Sequence, residues 1–406
     1  MVAPKLRFQE FDGDWESKKL KDLTDILKCG VASTPKYVTE GGYPFLSAQN
    51  ISRNGEMNYS KVNNISDDFY KKISKTKLLK GDILYSRVGA SYGVAAIFDR
   101  EEEYGVYVSL THIRVNDTLN NIFLKQFLNS PKARIQAEQG VFQGGGVQNL
   151  NVGVVEEFNL TLPSKQEQTK IASFLSTVDE KISQLSQKHQ LLSQYKQGMM
   201  QKILSQQIRF KADDGSEFEE WESRTLAEVG ENIIGLTYSP TDVTNDGSGI
   251  LVLRSSNIKN GRLNKNDQVR VNKKIKDKIL VQPNDILICT RNGSQRLIGK
   301  SVIINDNEVM TFGAFMSVYR SQYNRFIAYL MQTPWFFEQV QMNLGARINQ
   351  ITTGTLNEFT FDFPCLEEQT KIANFLSAID QKIEVIEQQI EQAKQWKKGL
   401  LQQMFV

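Results

Sequence analysis

The sequence is poor in the residues that build metal, redox and secretory chemistry. Its three cysteines, Cys29, Cys289 and Cys365, are odd in number and far apart. That excludes a disulfide framework and fits a reducing compartment. Its two histidines, His112 and His189, sit near no cysteine, so no zinc-ligand spacing exists and no metal site is expected. No apolar run reaches the ~18 residues of a membrane span. Met1 to Glu10 carries no apolar stretch of the kind a secretion signal needs, so a cytoplasmic protein is expected. The five residues between Gly293 and Gly299-Lys300-Ser301 are one too many for a phosphate-cradling P-loop. No dinucleotide-type glycine motif opens a helix, and no Gly-x-Ser-x-Gly elbow occurs. A net charge of +3 is too small to signal nucleic acid by itself, so any such face must come from local clustering.

What is present is a long internal repeat. Glu167-Gln168-Thr169-Lys170-Ile171-Ala172 returns as Glu368-Gln369-Thr370-Lys371-Ile372-Ala373, a shift of 201 residues. Phe174-Leu175-Ser176 returns as Phe375-Leu376-Ser377, and Asp179 with Lys181-Ile182 as Asp380 with Lys382-Ile383. The front halves match more loosely: Trp15-Glu16-Ser17 with Trp221-Glu222-Ser223, Asn50-Ile51 with Asn257-Ile258, and Asp82-Ile83-Leu84 with Asp285-Ile286-Leu287. This period excludes a short-repeat solenoid. A duplicated enzyme stays open at this point.

Ser164-x-x-Glu167 reads as a capping box opening the first repeated helix. Beyond it, Ile171, Leu175, Val178, Ile182, Leu185, His189, Leu192, Lys196, Met199 and Ile203 alternate steps of four and three. Ile372, Leu376, Ile379, Ile383, Ile386, Ile390, Ala393, Lys397, Leu400 and Met404 keep the same register. Sustained heptads between polar flanks predict a coiled coil whose seam can be hidden only against the other copy. Some forty residues at ~1.5 Å each make a rod of ~60 Å. An α+β protein follows: mixed α/β domains over 1–163 and 209–363, and long spacer helices over 164–208 and 364–406. The helices are expected to pair as an antiparallel coiled coil about a pseudo-twofold axis. His189 reads as a buried polar register device on the seam, and Lys196 and Lys397 read as exits toward solvent or as register devices. Asp179-Glu180-Lys181 resembles part of a nuclease set, but its repeat, Asp380-Gln381-Lys382, loses a carboxylate.

Each head combines short apolar strands, as at Asp82 to Tyr85 and Asp285 to Ile288, with helices at Ile122 to Leu128 and Phe326 to Met331 that end at Pro131 and Pro334. Arginine pairs with guanine and Asn or Gln with adenine. By that chemistry the first head offers Gln49, Asn50, Arg53, Arg87, Tyr92, Gln143, Gln148 and Asn149 for reading DNA. The second offers Arg254, Asn257, Arg291, Asn292, Gln295, Arg296, Arg347, Asn349 and Gln350. Lys72, Lys75 and Lys77, with Lys273, Lys276 and Lys278, suit phosphate contacts. Turn chemistry explains the same Asn and Gln residues equally well. Matching loops that differ in detail are what two different half-sites would require.

Three paired features carry a family resemblance: Trp15-Glu16-x-x-x-Leu20 and its return at Trp221; Gly81-Asp82-Ile83-Leu84 with Arg87-x-Gly89, matched by Asp285-Ile286-Leu287 with Arg291-Asn292-Gly293; and Leu162-Pro163 leading to Glu167-Gln168-x-x-Ile171-Ala172, matched at Phe363-Pro364. In this order, over the whole chain, the sequence resembles the specificity subunits of type I restriction–modification systems. The resemblance implies two target-recognition domains reading a bipartite DNA site, with the helices setting the gap and docking two methyltransferase subunits, joined by restriction subunits in the full complex. It implies a non-catalytic chain that directs adenine-N6 methylation. S-adenosylmethionine, ATP and Mg would belong to partner subunits and no cofactor to this one. Gln-Gly-Gly-Gly-Val-Gln at 143–148 becomes Leu-Gly-Ala-Arg-Ile-Asn at 344–349, a divergence between the half-sites. The alternatives are the specificity part of a fused restriction–methylation enzyme, or a stand-alone methyltransferase, whose cofactor loop and Asn/Asp-Pro-Pro-aromatic motif this sequence lacks, and a coiled-coil scaffold without a DNA role.

Overall fold

The computed structural model describes residues 3–33, 35–73, 77–139, 149–344 and 349–406. The chain divides into two compact units, residues 1–188 with 386–406, and residues 189–385. The boundaries fall inside the long helices, not at their ends. The heptad stripes explain this: each helix half is packed onto a head and a segment of the other helix, and forms no body of its own.

In the first unit a four-stranded antiparallel sheet runs Thr24–Cys29, Leu110–Val115, Ile83–Ser86, Ala95–Ile97. A second four-stranded sheet runs Tyr37–Val38, Asn63–Ile65, Tyr43–Leu46, Gly105–Val106, the last pair parallel. The second unit repeats both orders, as Glu231–Ile234, Met316–Arg320, Ile286–Cys289, Ser301–Ile303, and as Val243–Thr244, Arg270–Val271, Ile250–Leu253, Met310–Phe312. The strands at Ile83 and Ile286 are buried on both faces, which is why they read as continuous apolar runs rather than alternating ones. In each head a strand after the tryptophan pairs with the strand entering the long helix: Glu16–Lys19 with Asn159–Leu162, and Glu222–Thr225 with Thr360–Phe363.

Asn121–Leu128 and Asn324–Leu330 are helical as expected. Pro131 and Pro334 do not simply end them; each opens a further helix, Pro131–Gln139 and Pro334–Met342. Proline's fixed φ and missing N–H suit a first helical turn.

The long helices span Lys165–Leu204 and Leu366–Met404. Ser164 caps the first, its Oγ accepting from the Glu167 amide at 3.3 Å. The expected return bond from Glu167 is replaced, because both its carboxylate oxygens accept from Arg7 at 2.8 Å. Glu368 does the same for Arg209 and also accepts from Trp221 Nε1 at 3.0 Å. Within the first unit the helix segments run antiparallel: Thr161 Oγ1 donates to Val406 O, while Lys397 pairs with Asp179 further along. In the second unit Lys196 reaches Asp380 at 2.7 Å and Lys371 reaches Lys211 O at 2.8 Å, the same sense. The two seam lysines therefore do pair across helices, as register devices do. Ile171, Leu175, Val178, Leu185 and Ile203 are buried, as are Ile372, Leu376, Ile379, Ile383, Ile386, Ile390, Leu400 and Met404. Ile182, Leu192, Met199 and His189 are half-buried.

Asp82 anchors the first head. It is 3% exposed and accepts from His112 Nε2 at 2.7 Å, from Arg114 at 2.8 and 2.7 Å, and from the Leu79 amide. Burial pushes its pKa up, but these donors together outweigh burial and hold the carboxyl below its ordinary 3.8. A depressed carboxylate stabilises the fold above its unfolded pKa, and that contribution is lost as pH falls through the folded value. Urea midpoints of the wild type are therefore expected to drop below about pH 4. Asp82→Asn should remove part of that acid dependence; an unchanged profile would contradict this account.

Candidate nucleic-acid interface

The heads present their outward polar loops on one shared backbone frame. Leu150 N donates to Arg87 O in the first, and Ile351 N to Thr290 O in the second. Arg87 is therefore the counterpart of Thr290, not of Arg291. Its guanidinium donates to the carbonyls of Leu150, at 2.5 Å, and Val108, at 3.0 Å, and is buried. Arg87 closes a loop and does not face a base.

Three further expected readers are structural. Asn50 is 1% exposed, accepts from the Ser47 amide and donates to the carbonyls of Asn58 and Lys61. Asn257, fully buried, repeats this with Arg254, Asn264 and Asp267. Turn chemistry accounts for both. Tyr92 is buried, with its hydroxyl on Ala137 O and Arg134 over its ring at 4.7 Å. An unpaired buried polar group costs about 1–3 kcal/mol. Asn257→Ala is accordingly expected to lower the second unit's melting temperature by several degrees and to weaken binding without changing the bases read, which denaturation and methylation mapping together would check.

Other candidates do reach the surface. In the second head Arg291 is exposed, its guanidinium 4.8 Å from the Phe315 ring centre, and its backbone bridges to Gln350. Asn292 Nδ2 donates to Ser255 Oγ and Asn349 Nδ2 to Gly293 O. Gln295 bonds Gln341, and Arg296 is exposed with no partner among the described residues. Arg254 holds Asp267 at 2.5 Å. Lys276 is exposed, whereas Lys273 and Lys278 are paired with Asp242 and Glu231. In the first head Gln49, Arg53, Lys72 and Asn149 are exposed and Lys77 is paired with Glu103. Lys75, Gln143, Gln148 and Arg347 lie outside the described residues.

The sequence reading missed Phe315, which is 57% exposed. Its setting, Met310 to Val318, reads as strand core, and nothing in the pattern marks one phenylalanine as outward. The counterpart of Phe315 is Ser109: Thr290 and Arg291 amides donate to Phe315 O as Arg87 N donates to Ser109 O. The frame is common, and at this position an exposed phenylalanine in one head replaces a buried serine in the other.

The chain thus carries two mixed heads on one frame, each closed by half of a helix pair. A family model for the type I restriction modification DNA specificity domain matches residues 12–194 and 218–395. The chain belongs to this family and has its role in DNA sequence specificity. It is 26% identical, over 98% of its length and 94% of the relative's, to a putative type I restriction enzyme MjaX specificity subunit of Methanocaldococcus jannaschii. The MjaVIII specificity subunit of the same organism is 23% identical over 97% and 94%. Among solved structures, the S subunit of a type I restriction–modification system from M. genitalium matches with a TM-score of 0.62 at 17% identity, covering 100% of this chain and 99% of that one. The fold is that of the S subunits. No helix among the described residues is long and apolar enough to cross a membrane.

Proposed function

We propose that this chain is the non-catalytic reader of a type I complex, with each head recognising one half of a bipartite DNA site and the long helices fixing the gap. The observation that carries this is the pairing of one backbone frame with different residues: Arg291, Asn292 and Gln350 in one head stand where Val88, Gly89 and Asn149 stand in the other, and the exposed Phe315 stands where the buried Ser109 does. A scaffold has no need of such divergence. Arginine and asparagine at these places suit guanine and adenine edges.

The helices supply docking surface for two methyltransferase subunits. Phe8 meets Phe174 at 5.7 Å, and Phe174 meets Trp396 at 6.1 Å. Phe210 and Phe375 repeat the first contact, and Trp396 and Tyr195, equivalent positions, are both more than half exposed. Exposed aromatics at equivalent places suit two copies of one partner. S-adenosylmethionine, ATP and Mg belong to those partners and to the restriction subunits, and the assembly works in the cytoplasm.

The test is adenine-methylation mapping in cells with and without this chain, alongside its methyltransferase. The expected result is a two-part motif present only with the chain, whose second half alone relaxes in Arg291→Ala. Absence of any motif, with the partner soluble and cofactor-bound, would favour a scaffold.

A further inference from the structure

A groove in the first unit is lined in part by side chains that the repeat does not keep. The groove, of about 570 Å³, opens between the 53–54 turn, the 129–135 segment and the last turns of the second helix. Arg53, Arg134, Lys394, Lys397 and Lys398 line it against a single carboxylate, Asp179. Asp179 is itself held by Lys125 at 3.2 Å as well as by Lys397, so the floor carries net positive charge. Lys397 is largely desolvated, and burial holds its pKa below the ordinary lysine value despite Asp179. Arg53 and Lys398 have no partner among the described residues, and Lys394 reaches only its own helix's Glu391.

The repeat allows a position-by-position comparison. The Asp179–Lys397 pair is kept, as Asp380–Lys196. Three of the other cations are not: Lys394, Lys398 and Arg134 correspond to Ser193, Gln197 and Phe337, while Arg53 lies in a turn one residue longer than its counterpart, which carries Lys259 and Arg262. Tyr329, placed as Gln126 is, donates to Asp380 there, and Ala328 stands for Lys125. The paired aspartate and lysine therefore serve the fold, as does Arg134, which pairs with Glu138 at 2.7 Å and donates to Tyr92 O; Arg53, Lys394 and Lys398 have no such tie to the core. A partner present in two copies would call for the same charges in both units. One-sided charge fits a molecule met differently by the two halves, which is what an asymmetric duplex is. Arg53 also projects from the turn that Asn50 fixes, next to the exposed Gln49 of the reading surface.

We infer that this groove grips backbone phosphates of the duplex flanking the half-site read by the first head, so that the spacer helix holds DNA as well as spacing the heads. The inference rests on the reader function proposed above. Contacts of this kind anchor the protein without reading sequence and release counterions, so each one adds about 0.9 to the slope of log affinity against log salt.

The experiment uses the full chain assembled with its methyltransferase and a duplex carrying the mapped motif. Arg53, Lys394 and Lys398 are exposed, so a triple alanine variant leaves the core and the Asp179–Lys397 pair intact. The expected result is a salt slope shallower by about 0.9 for each contact removed, affinity weakened more than tenfold at low salt, and an unchanged methylated motif. Phosphate-ethylation interference on one flank of the first half-site should disappear with it, and R53K/K394R/K398R should restore both. An unchanged slope and interference pattern, in a complex whose wild type binds, overturns the inference. So does loss of the methyltransferase from the triple variant, which would make the groove a protein-docking site for an acidic segment. A wild-type complex that shows no preference for the motif duplex refutes the reader function instead.

Discussion

Glu368→Ala is expected to destabilise the second unit by about 3–5 kcal/mol, the cost of stranding one partner of a buried ion pair. Glu368 is wholly buried, and its carboxylate accepts from Arg209 and from Trp221 Nε1. Without it Arg209 keeps the carbonyls of Phe218 and Glu219 and a 3.6 Å pair with the exposed Glu220, and the indole N–H loses its acceptor. The first unit supplies an internal control. Glu167 is held by Arg7 in the same bidentate way, but Trp15 Nε1 finds no partner there among the described residues. Glu167→Ala should therefore cost the first unit less, by roughly the 1.5–3 kcal/mol of a hydrogen bond to a charged group. Urea unfolding followed by tryptophan fluorescence would measure both. Equal losses would mean that the Trp221 bond contributes nothing net.

These glutamates show where sequence reading stopped. Glu167 and Glu368 stood out as repeated, and capping was the natural role for a residue three beyond Ser164. The guanidiniums that claim them were missed. Leu6-Arg7-Phe8 does recur as Ile208-Arg209-Phe210, but Arg7 lies eight residues before Trp15 and Arg209 twelve before Trp221, so the match breaks the spacing of its neighbours. The helices were legible because heptads are a strong periodic signal over forty residues, and so were the doubly buried strands at Ile83 and Ile286. The head surfaces were less so. An asparagine that closes a turn and one that reads adenine are the same residue in the same kind of loop, and only burial separates Asn50 and Asn257 from Asn292 and Asn349. The groove was illegible for another reason: Arg53, Arg134 and Lys394 are far apart in the chain and meet only in the folded unit.

The second large effect concerns self-association. A chain ending after Gln207 exposes the seam from Ile171 to Ile203 with no second helix to cover it. Lys196 occupies the seam position of Lys397, so in a pair of such half-chains Lys196 of one copy is placed to meet Asp179 of the other. Sedimentation at micromolar concentration is expected to find a dimer, and with the methyltransferase that dimer should mark a symmetric site built from the first half-site twice. Asp179→Lys alone should abolish the dimer, by juxtaposing like charges among already desolvated lysines, and adding Lys196→Asp should restore it. A half-chain that stays monomeric would contradict the register read from the two lysine–aspartate pairs.

One contact at the chain's ends carries a topological consequence. In the first unit the Leu6 amide donates to Gln403 O at 3.0 Å, and in the second the Ile208 amide donates to Lys202 O at 3.2 Å. The second contact is spanned by continuous chain, and the first is the same contact without the connecting peptide. Counting along the repeat, Val406 stands as Ser205 does and Pro4 as Gln206 does. A peptide bond from Val406 to Pro4 would thus complete a cycle, and the order of segments around that cycle has no privileged starting point. A permuted chain, closed there and reopened between Ser205 and Ile208, keeps every contact described above. What distinguishes the two linear orders is the entropy of their unfolded chains and the sequence in which a ribosome delivers the parts.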